Sequence, residues 1–170
     1  MSVEDVRRYL DNWGRGADVR EFPVSTATVD LAAAAVGVEG ARIAKTLTFK
    51  APAPENEELA EGAFPAIVLV AAGDARIDGA KFKQAFGVKS KMLSPEEALA
   101  ATGHAVGGVC PFAIENPMAR IYLDESLRRF ETVFPACGSS SSCIEMTCDE
   151  LFVTSRAIGW VDACKGWQEE

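Results

Sequence analysis

The stretch FPAIVLVAA, residues 64–72, contains no charged side chain and no polar one. An apolar run of this kind predicts a β-strand that is buried on both faces. It is about half as long as a membrane-spanning helix, so it does not predict one. The preceding segment ARIAKTLTFKA, residues 41–51, alternates between apolar and polar side chains and predicts a second strand.

Five helices are predicted around these strands from their N-terminal capping residues. The capping residues are Ser2, Thr28, Asp78, Ser94 and Thr147. Glycines at 14, 37 and 103 are placed to end the first, second and fourth helices. The signal is strongest at Ser94, where a proline at the first helical position and a glutamate at the third follow the cap.

The remaining strand predictions fall on short segments. They are REFPVS (20–25), VKSKML (88–93), ARIYLD (119–124), ETVFPA (131–136) and CIEMT (143–147). The last two are joined by a Gly-Ser turn and predict an antiparallel hairpin. Helices and strands interleave, but several strands follow one another directly. We therefore expect one α/β domain over residues 1–170, of α+β character, with a mixed, largely antiparallel sheet and packed helices.

Composition limits the possible functions. The net charge of −8 disfavours a protein that grips long stretches of nucleic acid, but it allows contact with a nucleic-acid end. The acidic segment 54–62 is predicted as a solvated loop. The segment 81–91 contains Lys81, Lys83, Lys89 and Lys91 without an acidic residue, and is either a solvated face or a basic binding surface.

Targeting and metal signals are weak. The N-terminal sequence SVEDVRRYLDNW is charged and amphipathic and does not resemble a signal peptide, so we expect a cytoplasmic protein. The five cysteines form no C-x-x-C pair, and the single histidine cannot complete the usual zinc patterns. We therefore expect no disulfide framework and no metal, and interpret the cysteines as buried small apolar residues.

Lys45 is the first candidate for a functional residue. With a period of two along its predicted strand, it shares a face with Ile43, Leu47 and Phe49. A lysine on an apolar face must reach water, pair with an acidic group or serve a function. Burial would lower its pKa, whereas a neighbouring anion would keep it charged.

The stretch GHAVGGVCPF, residues 103–112, is the second candidate. It matches neither a P-loop nor a dinucleotide fingerprint. Two interpretations are open for the segment Gly107–Pro111, which begins with Gly107 and Gly108. The segment is either a tight turn into a strand, or a loop whose backbone N–H groups cradle a carbonyl or phosphate oxygen.

Three further residues invite a chemical role. A lone histidine such as His104 is more often structural than catalytic. With Cys110 it could form a cysteine–histidine nucleophile pair, although no acidic partner is indicated. Asp124 follows a predicted strand, where it could line a site or cap a short helix.

The order of these motifs resembles the YbaK/ProX family, the editing domains associated with prolyl-tRNA synthetase. The resemblance rests on VDLAAAAVGVEGARIAKTLTFK, GHAVGGVCPF, IYLDESL and the ACG before the hairpin, and it runs from about residue 20 to residue 155. It implies a mixed sheet bent toward a barrel with helices around it. It also implies an aminoacyl-tRNA deacylase that hydrolyses mischarged tRNA, typically Ala-tRNA(Pro) or Cys-tRNA(Pro), without a metal or cofactor.

The resemblance also implies site residues. The family's lysine corresponds to Lys45, and its G-x-x-x-P loop corresponds to Gly107–Pro111. The other matching positions are Gly103, His104, Asp124 and Gly138. Thr46 is a departure, since alanine-specific members tend to carry asparagine there, and it favours Cys-tRNA(Pro) or a less defined branch. Cys110 stands where a small residue is common, so it is expected to line the site together with Val109.

The implied chemistry needs no protein nucleophile. Lys45 would hold a phosphate or the aminoacyl group, the loop backbone would stabilise the oxyanion, and water or a substrate thiol would attack. The four lysines of 81–91 would contact the acceptor stem, and prolyl-tRNA synthetase is a possible partner. Two alternatives stay open: a binding module of the same fold that performs no chemistry, and a cysteine-based redox protein with a thiol of lowered pKa.

Overall fold

The computed structural model describes residues 1–53 and 58–168. The helices are α1 (Val3–Leu10), α2 (Val29–Val36), α3 (Gly79–Phe86), α4 (Pro95–Thr102) and α5 (Cys148–Thr154). The strands are β1 (Arg20–Glu21), β2 (Ile43–Lys50), β3 (Ala66–Ala72), β4 (Arg76–Ile77), β5 (Ala119–Asp124), β6 (Thr132–Pro135), β7 (Ser142–Cys143), β8 (Met146–Thr147), β9 (Gly159–Val161) and β10 (Cys164–Lys165). Of the predicted loop 54–62, residues 54–57 lie outside the described residues, and 58–62 are exposed and irregular.

The apolar run 64–72 forms a strand buried on both faces, as predicted. All seven residues of β3 are buried, and the strand lies inside a six-stranded sheet of order β8-β6-β2-β3-β5-β9. The sheet curls into a half-barrel with helices packed around it, which confirms the predicted fold class.

The sheet is more evenly mixed than the sequence predicted. Among the described strands, β2–β3 and β6–β8 are antiparallel, whereas β2–β6, β3–β5 and β5–β9 are parallel. The chain between β3 and β5 passes through α3 and α4. Such a long crossover lets the next strand run in the same direction, which a tight hairpin cannot do.

All five predicted helices form, but α1 ends at Leu10 rather than at the predicted Gly14, which instead follows a 3₁₀ turn over Asp11–Trp13. Ser2, Ser94 and Thr147 each complete a capping box with the third residue of their helix. Gly37 and Gly103 end α2 and α4 in the left-handed conformation, with φ of 84° and 77°.

Several short strands differ from the prediction. The segment 88–93 is not a strand, because only Met92 bridges to Phe49 at the end of β2. The segment 20–25 pairs only through β1, and 143–147 is divided into β7 and β8. The hairpin with β6 is nevertheless confirmed, since Val133 pairs with Met146.

The buried residues form one large cluster and smaller satellites. The large cluster includes residues from both ends of the chain and from the central strands of the sheet. A separate cluster lies under α2 and consists of Ala32, Ala33, Ile43, Phe134 and Cys143. The cavity described below opens beside this second cluster. No helix in the described part of the chain is long and apolar enough to cross a membrane.

Gly73, directly after β3, is in close backbone contact with the turn Gly40–Arg42 that precedes β2. A Cβ atom on Gly73 would lie 2.1 Å from the carbonyl oxygen of Gly40 and 2.7 Å from Val29 Cγ1. Every other amino acid has a Cβ atom that would collide here, so the turn after β3 requires glycine at position 73.

We predict that Gly73→Ala lowers the free energy of unfolding by roughly 2 kcal/mol or more, the usual cost of an overpacked contact. Gly79→Ala is the matched control, because nothing lies within 4 Å of its added Cβ at the start of α3. This control is expected to be neutral or slightly stabilising. Urea unfolding measures both, and equal midpoints for the two variants would contradict the packing argument.

Candidate active site

A cavity of about 290 Å³ opens between β2, the start of α2 and the loop after Gly103. Its wall includes Thr26, Val29, Lys45, Thr46, Gly107 and Val109. Lys45 is the one cationic side chain among the described residues of the wall, where no carboxylate or imidazole is found. Two side chains at the cavity, Met92 and Val106, are 58% and 65% exposed and mark its mouth.

Lys45 is half-buried, and its ammonium group is held by the turn that follows β3. Its Nζ donates to the carbonyl oxygen of Gly73 at 3.3 Å and to that of Ala75. Burial lowers the pKa of Lys45, and the proximity of Cys164 and Asp74 opposes this shift. An ammonium group has three donors, so one is left after these two hydrogen bonds.

The glycine loop is held by close contact between two stretches of backbone. A Cβ on Gly108 would lie 2.9 Å from backbone atoms of both Gly138 and Ser139, so no larger residue fits there. Gly107 adopts a φ of 97°, which also favours glycine. The loop is thereby pressed against the turn before β7, with Gly107 and Val109 on the cavity wall.

Two of the three backbone amides at 107–109 have no hydrogen-bond acceptor among the described residues. The amide of Gly108 already donates to the carbonyl oxygen of Ala105 at 3.0 Å. The amides of Gly107 and Val109 have no acceptor among the described residues. Both residues lie on the cavity wall, whereas Gly108 and Pro111 do not line the cavity.

His104 and Cys110 lie behind the loop. Both are fully buried, and His104 Nε2 lies 2.8 Å from the carbonyl oxygen of Phe112, to which it donates. The sulfur of Cys110 is 3.4 Å from this same nitrogen, which cannot accept the thiol proton while it donates. Burial raises the pKa of Cys110 to about 12 and lowers that of His104, so the arrangement does not form a nucleophile pair.

Asp124 and Gly138 also lie outside the cavity wall. The carboxylate of Asp124 is buried and accepts from the amides of Ser126 and Ala163, each at 2.9 Å. Gly138, with a φ of 88°, packs against Val6 of α1. The sequence analysis predicted substrate contact for His104, Cys110, Asp124 and Gly138. None of these residues lies on the cavity wall, and in the structure they occupy supporting positions outside it.

Other wall residues were not predicted as site residues. They include Thr26, Met92, Phe134, Ala136, Ser142 and Cys143, which come from segments far apart in the sequence. Burial raises the pKa of Cys143 to about 11 and raises those of the other four cysteines as well. The redox hypothesis requires a lowered thiol pKa, and burial shifts the pKa of each of these cysteines in the opposite direction.

The four lysines of 81–91 do not form one uniform surface. Lys81 is tied down, because its Nζ lies 3.1 Å from Asp162 and 3.2 Å from the carbonyl oxygen of Cys164. Lys83, Lys89 and Lys91 are exposed. Lys91 directly precedes Met92 and is therefore next to the mouth of the cavity.

Comparison with known proteins identifies the family of the chain. The model of the aminoacyl-tRNA editing domain family matches residues 24–152, and the chain belongs to this family. The uncharacterized protein YwhH of Bacillus subtilis is 48% identical over 168 residues, which cover 99% of this chain and 100% of that protein.

Two solved structures are similar over nearly their whole length. A candidate trans-editing enzyme for prolyl-tRNA synthetase is 32% identical, with a TM-score of 0.79 over 96% of this chain and 97% of the other. A chain from work on epitope backbone grafting onto scaffold proteins is 28% identical, with a TM-score of 0.81 over 96% and 97%.

We predict that His104 makes stability depend on pH. Because burial holds its pKa below the ordinary value of 6.5, the unfolded chain takes up the proton more readily than the folded one. Above about pH 6.5 the histidine is neutral in both states and does not lower the free energy of unfolding. Below that pH the free energy of unfolding decreases, because the unfolded chain binds the proton. Urea unfolding at pH 8 and pH 5.5 measures the free energy of unfolding. Between these two pH values it should decrease less for His104→Asn, whose side chain does not titrate, than for the wild type. Equal losses would show that His104 is not buried in its neutral form.

Proposed function

We propose that this protein is a trans-acting aminoacyl-tRNA deacylase that hydrolyses the ester of a mischarged tRNA(Pro) bearing cysteine or another small amino acid. The observation that carries the proposal is that Lys45, Gly107 and Val109 lie on the wall of one small cavity. Membership of the aminoacyl-tRNA editing domain family supports the reaction class.

The proposed chemistry uses the two loop amides. As a nucleophile adds to the ester carbonyl, negative charge develops on the carbonyl oxygen, and the amides of Gly107 and Val109 are free to stabilise it. Donors of this kind contribute roughly 3 kcal/mol each in other enzymes. Lys45 would hold the aminoacyl group or a terminal phosphate. The described wall contains no acidic or imidazole base, so the attacker is a bound water or the substrate's own thiol.

The size and lining of the cavity support a preference for small side chains. Its volume of about 290 Å³ lies at the lower end of ligand sites. Ala32, Ile43, Phe134 and Cys143 give one side of the wall an apolar surface. Thr46 lies on the wall and favours the cysteine branch over the alanine branch. Discrimination by one methyl or hydroxyl group is worth only about 1–3 kcal/mol, so a direct comparison of substrates is needed.

The tRNA would approach over the mouth of the cavity. Only its 3′ end needs to enter, so the net charge of −8 is compatible with binding. Lys91, Lys83 and Lys89 are the exposed candidates for contact with the acceptor stem, whereas Lys81 is held by Asp162. We expect the protein to act in the cytoplasm, with prolyl-tRNA synthetase as a possible partner.

The alternative is a binding module that holds the 3′ end of a tRNA, a nucleotide or a synthetase without chemistry. One observation favours it: the described cavity wall contains no carboxylate or imidazole side chain, the groups that most often act as a general base. Binding of uncharged and charged tRNA with equal affinity, without turnover, would support this alternative.

We predict that the protein deacylates Cys-tRNA(Pro) faster than Ala- or Ser-tRNA(Pro), and that Lys45→Ala reduces the rate by roughly 10²-fold or more. Release of radiolabelled amino acid measures the rate. Lys165→Ala removes an exposed lysine outside the cavity and is the matched control.

Because Lys45 also binds two backbone carbonyls, its variants need a folding control. Circular dichroism and urea unfolding of Lys45→Ala and Lys45→Arg show whether the fold persists. Intact charged tRNA after incubation with the wild type, or full activity of a folded Lys45→Ala, would refute the proposal.

A further inference from the structure

Thr26 contains a buried hydroxyl group without a partner. The residue is 8% exposed, and its Oγ1 has no hydrogen-bond partner among the described residues. Two other buried threonines differ, since Thr102 Oγ1 donates to the carbonyl oxygen of Ala98 and Thr154 Oγ1 donates to that of Glu150. Buried polar groups are normally paired, so an orphan hydroxyl points to a partner that the free protein does not supply.

The position of Thr26 connects this hydroxyl with the proposed site. Thr26 lies on the wall of the same cavity as Lys45. Its amide donates to the carbonyl oxygen of Ser140 at 2.6 Å, which fixes the segment on the turn before β7. The next residue, Ala27, lies beside the loop, since a Cβ on Gly107 would be 3.7 Å from Ala27 Cβ. Thr26 is therefore adjacent to the loop that has the two free amides.

A threonine side chain has one torsion that moves its hydroxyl, and the staggered positions of that torsion exchange the hydroxyl with the methyl group. A single rotation therefore moves the hydroxyl without moving the backbone. The apolar alternative, valine, has nearly the same shape and would avoid the cost of the orphan group. A purely structural role would consequently be filled better by valine.

We propose that the Thr26 hydroxyl is a third donor to the ester carbonyl oxygen, beside the amides of Gly107 and Val109. This inference rests on the proposed deacylase function. In the reaction, the attacking oxygen or sulfur adds to the carbonyl carbon, and the electron pair moves to the carbonyl oxygen. When that pair returns, the carbon–oxygen bond to the ribose breaks, and the ribose oxygen takes the proton that the nucleophile gives up. Thr26 donates to the oxygen while it carries the negative charge.

The experiment compares Thr26→Val and Thr26→Ser with the wild type on the charged tRNA that the wild type deacylates. If the Thr26 hydroxyl donates to the carbonyl oxygen while that oxygen carries the negative charge, Thr26→Val should lower kcat by roughly 10-fold to 10²-fold with little change in KM. Thr26→Ser retains the hydroxyl and should keep most of the activity. The urea midpoint of Thr26→Val should be unchanged or higher, because the substitution removes an unpaired buried group.

Thr154→Val is the matched control, because it removes a buried hydroxyl that is paired and lies outside the cavity. It should lower the urea midpoint and leave kcat unchanged. The inference is overturned if Thr26→Val keeps full kcat, if its loss appears only in KM, or if its loss of activity accompanies a lower urea midpoint. An inactive wild type refutes the deacylase function itself, a result distinct from each of these.

Discussion

The contact between the backbone of Gly108 and that of Gly138 and Ser139 is the constraint on which the rest of the site depends. A Cβ atom on Gly108 would lie 2.9 Å from these backbone atoms, so there is no room for a side chain at this position. Gly138 is itself pressed against Val6 of α1, so the N-terminal helix, the turn before β7 and the glycine loop form one continuous stack. This stack determines where the amides of Gly107 and Val109 lie relative to β2.

The opposite wall depends on a lysine in an apolar setting. Strand β2 pairs with the fully buried β3, and the turn after β3 brings the carbonyl groups of Gly73 and Ala75 to the ammonium of Lys45. These carbonyls partly replace water around the charge, while burial lowers the pKa of the lysine. One donor of the ammonium is left after these two hydrogen bonds. The site therefore combines a fixed cation with fixed backbone donors, and its described wall contains no acidic or imidazole side chain to act as a base.

Local signals predicted much of this architecture, and long-range packing decided the rest. The five helices followed from capping residues, and β3 followed from an unbroken apolar run, since both depend on neighbours in sequence. Strands of two or three residues, such as β9, have too few side chains to form a pattern. Lys45 and the glycine loop were found by their unusual setting, but Thr26, Phe134 and Cys143 reach the cavity only through the fold. His104 and Cys110 are close to the loop in sequence, yet the chain buries them behind it.

A crystal structure with an amide-linked, non-hydrolysable 3′-cysteinyl-adenosine analogue would test the central claim most directly. The account predicts that the aminoacyl group occupies the cavity between Lys45 and the loop, with its carbonyl oxygen within about 3 Å of the amides of Gly107 and Val109. An analogue bound with its amino acid outside this cavity, or with its carbonyl oxygen turned away from the loop, would contradict the account.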